Sequence, residues 1–447
     1  VDFITEFFKG INNFLWGPFM LLFLLGTGVW LTLHLGFIQV RFLGEGFKKT
    51  FAPLFKKDQE DGINSFKALA TSISAQVGTG NLAGVATAIA SGGPGAIFWM
   101  WISSFFGMAT IFAESVLAQT YKKKQGEQPV GGPAFYIKYG LGSKWLAGFF
   151  AVAIIIALGF VGNMVQSNAI TVAMNQTLNT DSFGISLLFG VLVAFFVGLI
   201  LFGGIQRIAN FAGNVVPVMA LLYIIGSVVI VVLYWDQLIP TLSLIVNAAI
   251  NPNAAAGGVL GATVKEAVRY GIARGLFSNE AGMGSTPHAH AVAKVKHPAE
   301  QGLVAMVGVF IDTVIICTLT ALVVIMTDAH KTDLEASAIT QEGFARGLGE
   351  FGIPFIAVCL LFFAFTTILG WAYFGEVNVR FLFGEKGVPT YRAIVLLFIV
   401  VGAIVKVEFV WQVADTFNAL MVLPNILALL LLTKVVKRSW KEYRKTN

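Results

Sequence analysis

Eleven stretches of about twenty mostly apolar residues, each long enough to cross the hydrocarbon core of a bilayer as one helix, dominate this 447-residue chain. They cover Phe14–Leu35, Phe66–Ala90, Ala96–Gln119, Trp145–Ala173, Phe183–Phe202, Phe211–Trp235, Gly257–His288, Leu303–Met326, Phe355–Phe374, Thr390–Val405 and Val410–Val436. Charged residues make up only 12% of the chain and hydrophobic ones 56%, against about 25% charged in an average soluble domain. A soluble chain of this size has too much surface to hide so many apolar side chains. The expected class is an all-α polytopic membrane protein, and the composition argues against a nucleic-acid binder, a disulfide scaffold and a disordered chain. Cys317 and Cys359 each lie inside an apolar run and read as packing residues, not as a disulfide or metal pair. The first stretch does not read as a signal peptide, because Asp2 and Glu6 precede it and no small-residue cleavage site follows.

The basic residues supply an orientation. With the N-terminus outside, the inner loops and the tail carry 23 of the 30 Lys and Arg residues, and the outer segments carry four: Lys9, Lys331, Arg346 and Lys406. The other three lie in the seventh stretch. Cytoplasmic loops hold the excess of positive charge. The expected topology is therefore multi-pass in the plasma membrane, N-terminus outside and C-terminus cytoplasmic.

Two stretches are interrupted. The second contains Ser72–Asn81, where Gly78 and Gly80 flank Thr79 beside Gln76 and Asn81. The seventh contains Gly271–Gly282, which also mixes glycine with polar groups at membrane depth. Glycine weakens a helix by about 1 kcal/mol relative to alanine, and unwound backbone in a membrane is tolerated only where it is buried or lines a cavity. The two stretches lie five spans apart. Five is odd, so a five-helix repeat returns inverted, and paired interrupted helices in two inverted halves point to a transporter site. The alternative is that the glycines permit close helix packing, which suits Gly84. The spacing is not a dinucleotide fingerprint, and no strand precedes it.

A break frees amide N–H groups around Thr79, Gly80 and Asn81, which favour an anion such as a carboxylate. It also frees carbonyl oxygens around Ser74, Gln76 and Val77, which suit a hard cation. A zwitterionic amino acid beside Na+ satisfies both. In the ninth stretch Thr366 and Thr367 offer adjacent hydroxyls, with a bond back to the carbonyl four residues earlier as the alternative.

At this point the residues resemble a known family. The sixteen positions Gly92–Gly107 (GGPGAIFWMWISSFFG) are similar to the signature of the alanine/glycine:cation symporter, or sodium:alanine symporter, family, as are Gly78–Asn81 and Asn279–Pro287. The resemblance implies a LeuT-like 5+5 inverted repeat with one extra N-terminal helix. Residues 1–40 would hold the extra helix, 41–64 a cytoplasmic loop, 65–235 and 236–436 the two repeats, and 437–447 a basic tail. It implies Na+-coupled transport of alanine and glycine, with Na+ as coupling ion and no other cofactor. It implies that the substrate carboxylate meets the amides of Thr79 and Gly80, beside Gly78 and Asn81. It puts Na+ between the carbonyls of Ser74, Val77 and Phe363 and the hydroxyls of Thr366 and Thr367. A second cation site in relatives of this fold would use Gln76 and Asn81. The second break would fall at Gly275, Leu276, Phe277, Ser278 and Asn279, with Phe277 either walling the pocket or filling core. Gln166 and Asn163 would pass the site or form interhelical hydrogen bonds, and Trp371 would cap the side-chain end.

Ionisable residues inside spans are functional candidates: Glu114, Arg269, Arg274, Glu280, Asp312 and Asp415. Arg274 and Glu280 are expected to form either a gate or a structural ion pair. His288, His290 and His297 are expected at the surface, since no Cys or carboxylate completes a zinc set. No Ser–His–Asp order and no nucleophile elbow is present, so no enzyme is expected. The resulting expectation is a Na+-coupled symporter of small neutral amino acids working by alternating access. A proton-coupled transporter of the same fold is the nearest rival, disfavoured by the absence of lysine from the sixth stretch. An ion channel is disfavoured by one break in each half of a single chain.

Overall fold

The computed structural model describes residues 2–52, 63–125, 128–180, 182–251, 263–334, 336–405 and 407–446. Helix α2 (Pro18–His34) fills most of the first apolar stretch, which takes in only the last two residues of α1 (Asp2–Leu15). The two helices part just before Pro18, whose missing N–H suits a first helical turn. After the amphipathic α3 (Leu43–Phe51), α4 (Ser65–Gln76) starts on Asn64, whose side chain accepts the Lys67 N–H and so satisfies one orphan donor of the helix end. A wide turn over Gly80–Gly84 leads into α5 (Val85–Gly92). Then come α6 (Ala96–Thr120), a short antiparallel hairpin with Lys123 opposite Val130, α7 (Lys144–Leu178), α8 (Phe183–Leu201) and α9 (Gly204–Leu233).

The second half begins with α10 (Val264–Asn279), closed at its start by a reciprocal Thr263–Glu266 capping box, followed by α11 (Pro287–Ala291) and α12 (Pro298–Met326). It continues with α13 (Gly352–Phe383), α14 (Val388–Ile404), α15 (Val407–Leu431) and α16 (Thr433–Thr446). The expected start of the seventh stretch near Gly257 and part of the expected loop at 41–64 lie outside the described residues.

Among the described residues, nine helices are long and apolar enough to span a membrane. The pairs α4/α5 and α10/α11 are not among them because each piece is short. The expectation of eleven spans counts each of these interrupted pairs as one crossing. The eleventh stretch ends earlier than read, at Leu431, because α16 begins as a separate helix at Thr433. Helix α6 packs on α10 and α12, α4 packs on α9, α13 and α12, α7 packs on α13 and α14, and α8 packs on α14. The first interrupted helix therefore lies among α9, α12 and α13, and the second lies against α6.

Candidate functional site

The first break is where the glycines forecast it. Helix α4 stops at Gln76, and Val77 turns extended (φ −84°, ψ 92°) before helical geometry resumes at Thr79. The Asn81 side chain folds back and accepts the Gly78 N–H at 2.9 Å. Glycine is required at 78 because a Cβ there would lie 2.5 Å from the Thr367 hydroxyl. Gln166 on α7 donates to the Thr79 hydroxyl at 3.0 Å, and Gln76 donates to the Asn279 carbonyl at 2.7 Å. The side-chain oxygen of each glutamine, Oε1, is buried with no hydrogen-bond partner among the described residues.

Thr367 sits against the end of α4. Its hydroxyl lies 3.0 Å from the Ser74 carbonyl, 3.4 Å from that of Val77 and 2.9 Å from that of Phe363. One proton cannot serve three acceptors, so the cluster is rich in oxygen and short of donors, which is the character of a hard-cation site. The bond back to Phe363 is made as well, so both readings of this threonine hold in the geometry. Thr366 points elsewhere: it reaches the Phe363 carbonyl at 3.0 Å and the Met219 sulfur on α9 at 3.6 Å. Neighbouring helical residues diverge by about 100°, and the structure brings only Thr367 to the freed carbonyls of α4.

The second break is displaced from its expected register. Helix α10 runs unbroken through Gly275, Leu276, Phe277, Ser278 and Asn279. The chain leaves it at Glu280 (φ 57°), passes Gly282 (φ 88°) and Gly284 (φ 80°), and turns helical again at Pro287. Gly271 and Gly275 serve packing: a Cβ at either would lie 2.2 Å from the Ala96 carbonyl oxygen or 2.3 Å from the Ser103 hydroxyl of α6. Phe277 is half-buried, with its ring 6.2 Å from Trp411. It lines a cavity of about 180 Å³ with Arg274 and Asp415. Asn163 donates back to the Gly159 carbonyl within its own helix.

Buried carboxylates hold this break. Glu114 on α6 accepts from the Gly282 N–H at 3.1 Å, the Gly284 N–H at 2.9 Å and the Asn425 amide at 2.7 Å. Glu280 accepts from the Trp371 indole at 2.7 Å and the Ser285 hydroxyl at 2.5 Å. The expected Arg274–Glu280 pair is therefore not formed, because Glu280 turns to Trp371 while Arg274 faces the cavity it lines with Phe277. His288 and His290 are fully buried and not at the surface. The reason is the shifted break: helix resumes at Pro287, so both rings belong to its inner arm. His288 meets the Ser285 carbonyl at 2.6 Å and the Asn378 amide at 2.8 Å, and the Gln301 amide meets His290 at 2.8 Å. His297 is half-buried and accepts the Ala299 N–H at the start of α12.

Asp312, which sequence reasoning left outside the site, ties the two breaks together. It accepts from the Asn81 amide at 2.6 Å, the Ser278 hydroxyl at 2.9 Å and the Thr313 hydroxyl at 2.7 Å. Asn279 donates to the Thr313 hydroxyl at 3.1 Å. The available signal was a lone carboxylate in an apolar span with a threonine after it. Among the described residues, no three His, Cys, Asp or Glu side chains cluster as a metal centre.

The model of the sodium:alanine symporter family matches residues 1–447. The chain belongs to that family. It is 40% identical over 453 residues to the sodium/alanine symporter AgcS of Methanococcus maripaludis, covering 99% of this chain and 98% of that one. It is 42% identical over 443 residues to the probable sodium/glutamine symporter GlnT of Bacillus subtilis, covering 98% and 91%. Among solved structures it resembles MhsT in complex with L-phenylalanine (TM-score 0.55, 12% identity, 85% of this chain and 98% of that one). It also resembles a manganese transporter mutant of Eremococcus coleocola (TM-score 0.55, 14% identity, 86% and 81%). This family member is a LeuT-fold transporter and not an enzyme, and its two broken helices are the irregular backbone that the fold buries at its centre.

Proposed function

We propose that the chain couples Na+ entry to the uptake of small neutral amino acids, alanine and glycine, by alternating access across the plasma membrane. The observation that carries the reading is the Thr367 hydroxyl beside the Ser74, Val77 and Phe363 carbonyls, an all-oxygen set suited to Na+. In this reading Thr366 shares the ion through the Phe363 carbonyl that both threonines contact. The substrate carboxylate sits at the amides heading the resumed helix, Thr79 and Gly80, with Gly78, Asn81 and Gln166 around it. Gly275, Phe277, Ser278 and Asn279 on α10 form the facing wall. The small-substrate preference rests on Trp371, which Glu280 holds so close to Gly162 that a Cβ there would lie 2.8 Å from the indole. The N-out, C-in orientation rests on the distribution of Lys and Arg.

The test is uptake of labelled alanine and glycine into proteoliposomes under an inward Na+ gradient and under a matched choline gradient. Stimulation by Na+ is expected, and its absence overturns the coupling. A second reading, proton coupling, is favoured by one observation: among the described residues Glu114, Glu280 and Asp312 are buried at the breaks and none forms an ion pair. Uptake that follows a pH gradient at fixed Na+ would select it.

A further inference from the structure

Helix α16 carries six basic residues and one acidic one in fourteen. They are sorted by face. Val436, Ser439, Trp440 and Tyr443 are buried. The Trp440 ring packs 4.8 Å from Phe42 and 5.5 Å from Phe112, and the Tyr443 hydroxyl donates to Glu45 at 2.5 Å. This anchoring fixes the opposite face. There, Lys434, Lys437, Arg438, Lys441 and Lys445, with Glu442, line a shallow groove of about 360 Å³. Their spacing of three and four residues makes one stripe. The single ion pair on it, Arg438–Glu442, is 4.0 Å long and largely exposed, and such a pair neutralises little. The stripe thus keeps four net positive charges. Its depth is also fixed, because the apolar α15 ends at Leu431 and α16 begins at Thr433, which puts the stripe at the polar boundary of the bilayer.

We propose that this stripe binds the headgroups of anionic phospholipids in the leaflet at which α16 lies. A basic cluster directly following a membrane span attracts anionic lipid. The buried Trp440 and Tyr443 hold the stripe rigid, so the site is built before lipid arrives. Because the same helix contacts α3 through Tyr443 and Glu45 and also packs on α6 and α12, bound lipid would brace the cytoplasmic ends of the helices that carry Glu114 and Asp312.

The experiment measures binding of phosphatidylglycerol and phosphatidylcholine to the detergent-purified full chain by native mass spectrometry. The wild type is compared with K434Q/K437Q/R438Q/K441Q/K445Q, with the control K123Q/K124Q/K138Q/K144Q, and with the single variants R438Q and E442K. We expect the wild type to prefer phosphatidylglycerol, the stripe variant to lose that preference by about tenfold or more, and the control to keep it. R438Q should weaken phosphatidylglycerol binding about fivefold and E442K should tighten it by about as much, so the pair reads the site even if the multiple variant does not fold. The proposal is overturned if the wild type shows no preference, if stripe and control variants lose it equally, or if the single variants leave it unchanged. Tighter binding of a polyglutamate peptide than of phosphatidylglycerol would overturn it in favour of an acidic protein partner.

Discussion

Thr367 and Asp312 differ in how visible they are from the chain alone, and each yields a prediction. Thr367→Ala removes the one hydroxyl that meets all three carbonyls, so the apparent Na+ affinity of alanine uptake should fall about tenfold, as for one lost polar ligand. Thr366→Ala, whose hydroxyl turns toward Met219, should change it less; Na+ titration of initial uptake rates checks both. Asp312→Asn removes the only charge among the groups joining Asn81 to Ser278, and one donor loses its acceptor. We expect weaker Na+ dependence together with a lower melting temperature, by about 1–3 kcal/mol of stability, read by thermal shift with and without Na+. The Thr366–Thr367 pair stood out as two hydroxyls in an apolar helix, but the bond back to a carbonyl competed with that reading, and the family resemblance is what proposed the pair for Na+. Asp312 was not assigned to the site because its partner Asn81 lies 231 positions away, and no local spacing reports a contact between distant helices. His288 was misread for a related reason: its burial follows from where the helix restarts.

The broken helix is the unit in which the two halves can be compared. Both breaks carry a Gly-x-Gly pair, Gly78/Gly80 and Gly282/Gly284, offset by the same number of residues in each case. That match was in the sequence, but Gly271 and Gly275 drew the register toward α10, where small residues serve the crossing with α6. The existence of two interruptions was legible from glycine beside polar groups at membrane depth. Their exact ends depend on what clasps the loose backbone, and in the second break that is Glu114 from another helix. Glu114→Gln keeps one acceptor oxygen and turns the other position into a donor facing backbone N–H groups. It should destabilise the protein by about 1–3 kcal/mol and slow alanine uptake, measured by thermal shift and transport, whereas Glu266→Gln at the exposed start of α10 should do neither to a comparable degree.

For the molecule as a whole, alternating access requires two sets of helices that move against each other about the breaks. The overall class was the most legible level, because apolar length and the asymmetry of basic residues act over the entire chain and survive errors at single positions. The orientation predicts that Asn13→Cys reacts with a membrane-impermeant maleimide from outside intact cells, while Arg444→Cys reacts only after the membrane is opened. The reverse pattern would invert the topology. The account makes binding of zwitterion and cation mutually dependent, and linkage requires each to raise the other's affinity by one common factor, about 5–150-fold for couplings of this kind. Calorimetric titration of the purified protein with alanine, at several Na+ concentrations and in choline, measures that factor directly. The account predicts that alanine affinity rises with Na+ and that Thr367→Ala flattens the rise; equal alanine affinity in Na+ and choline would contradict it.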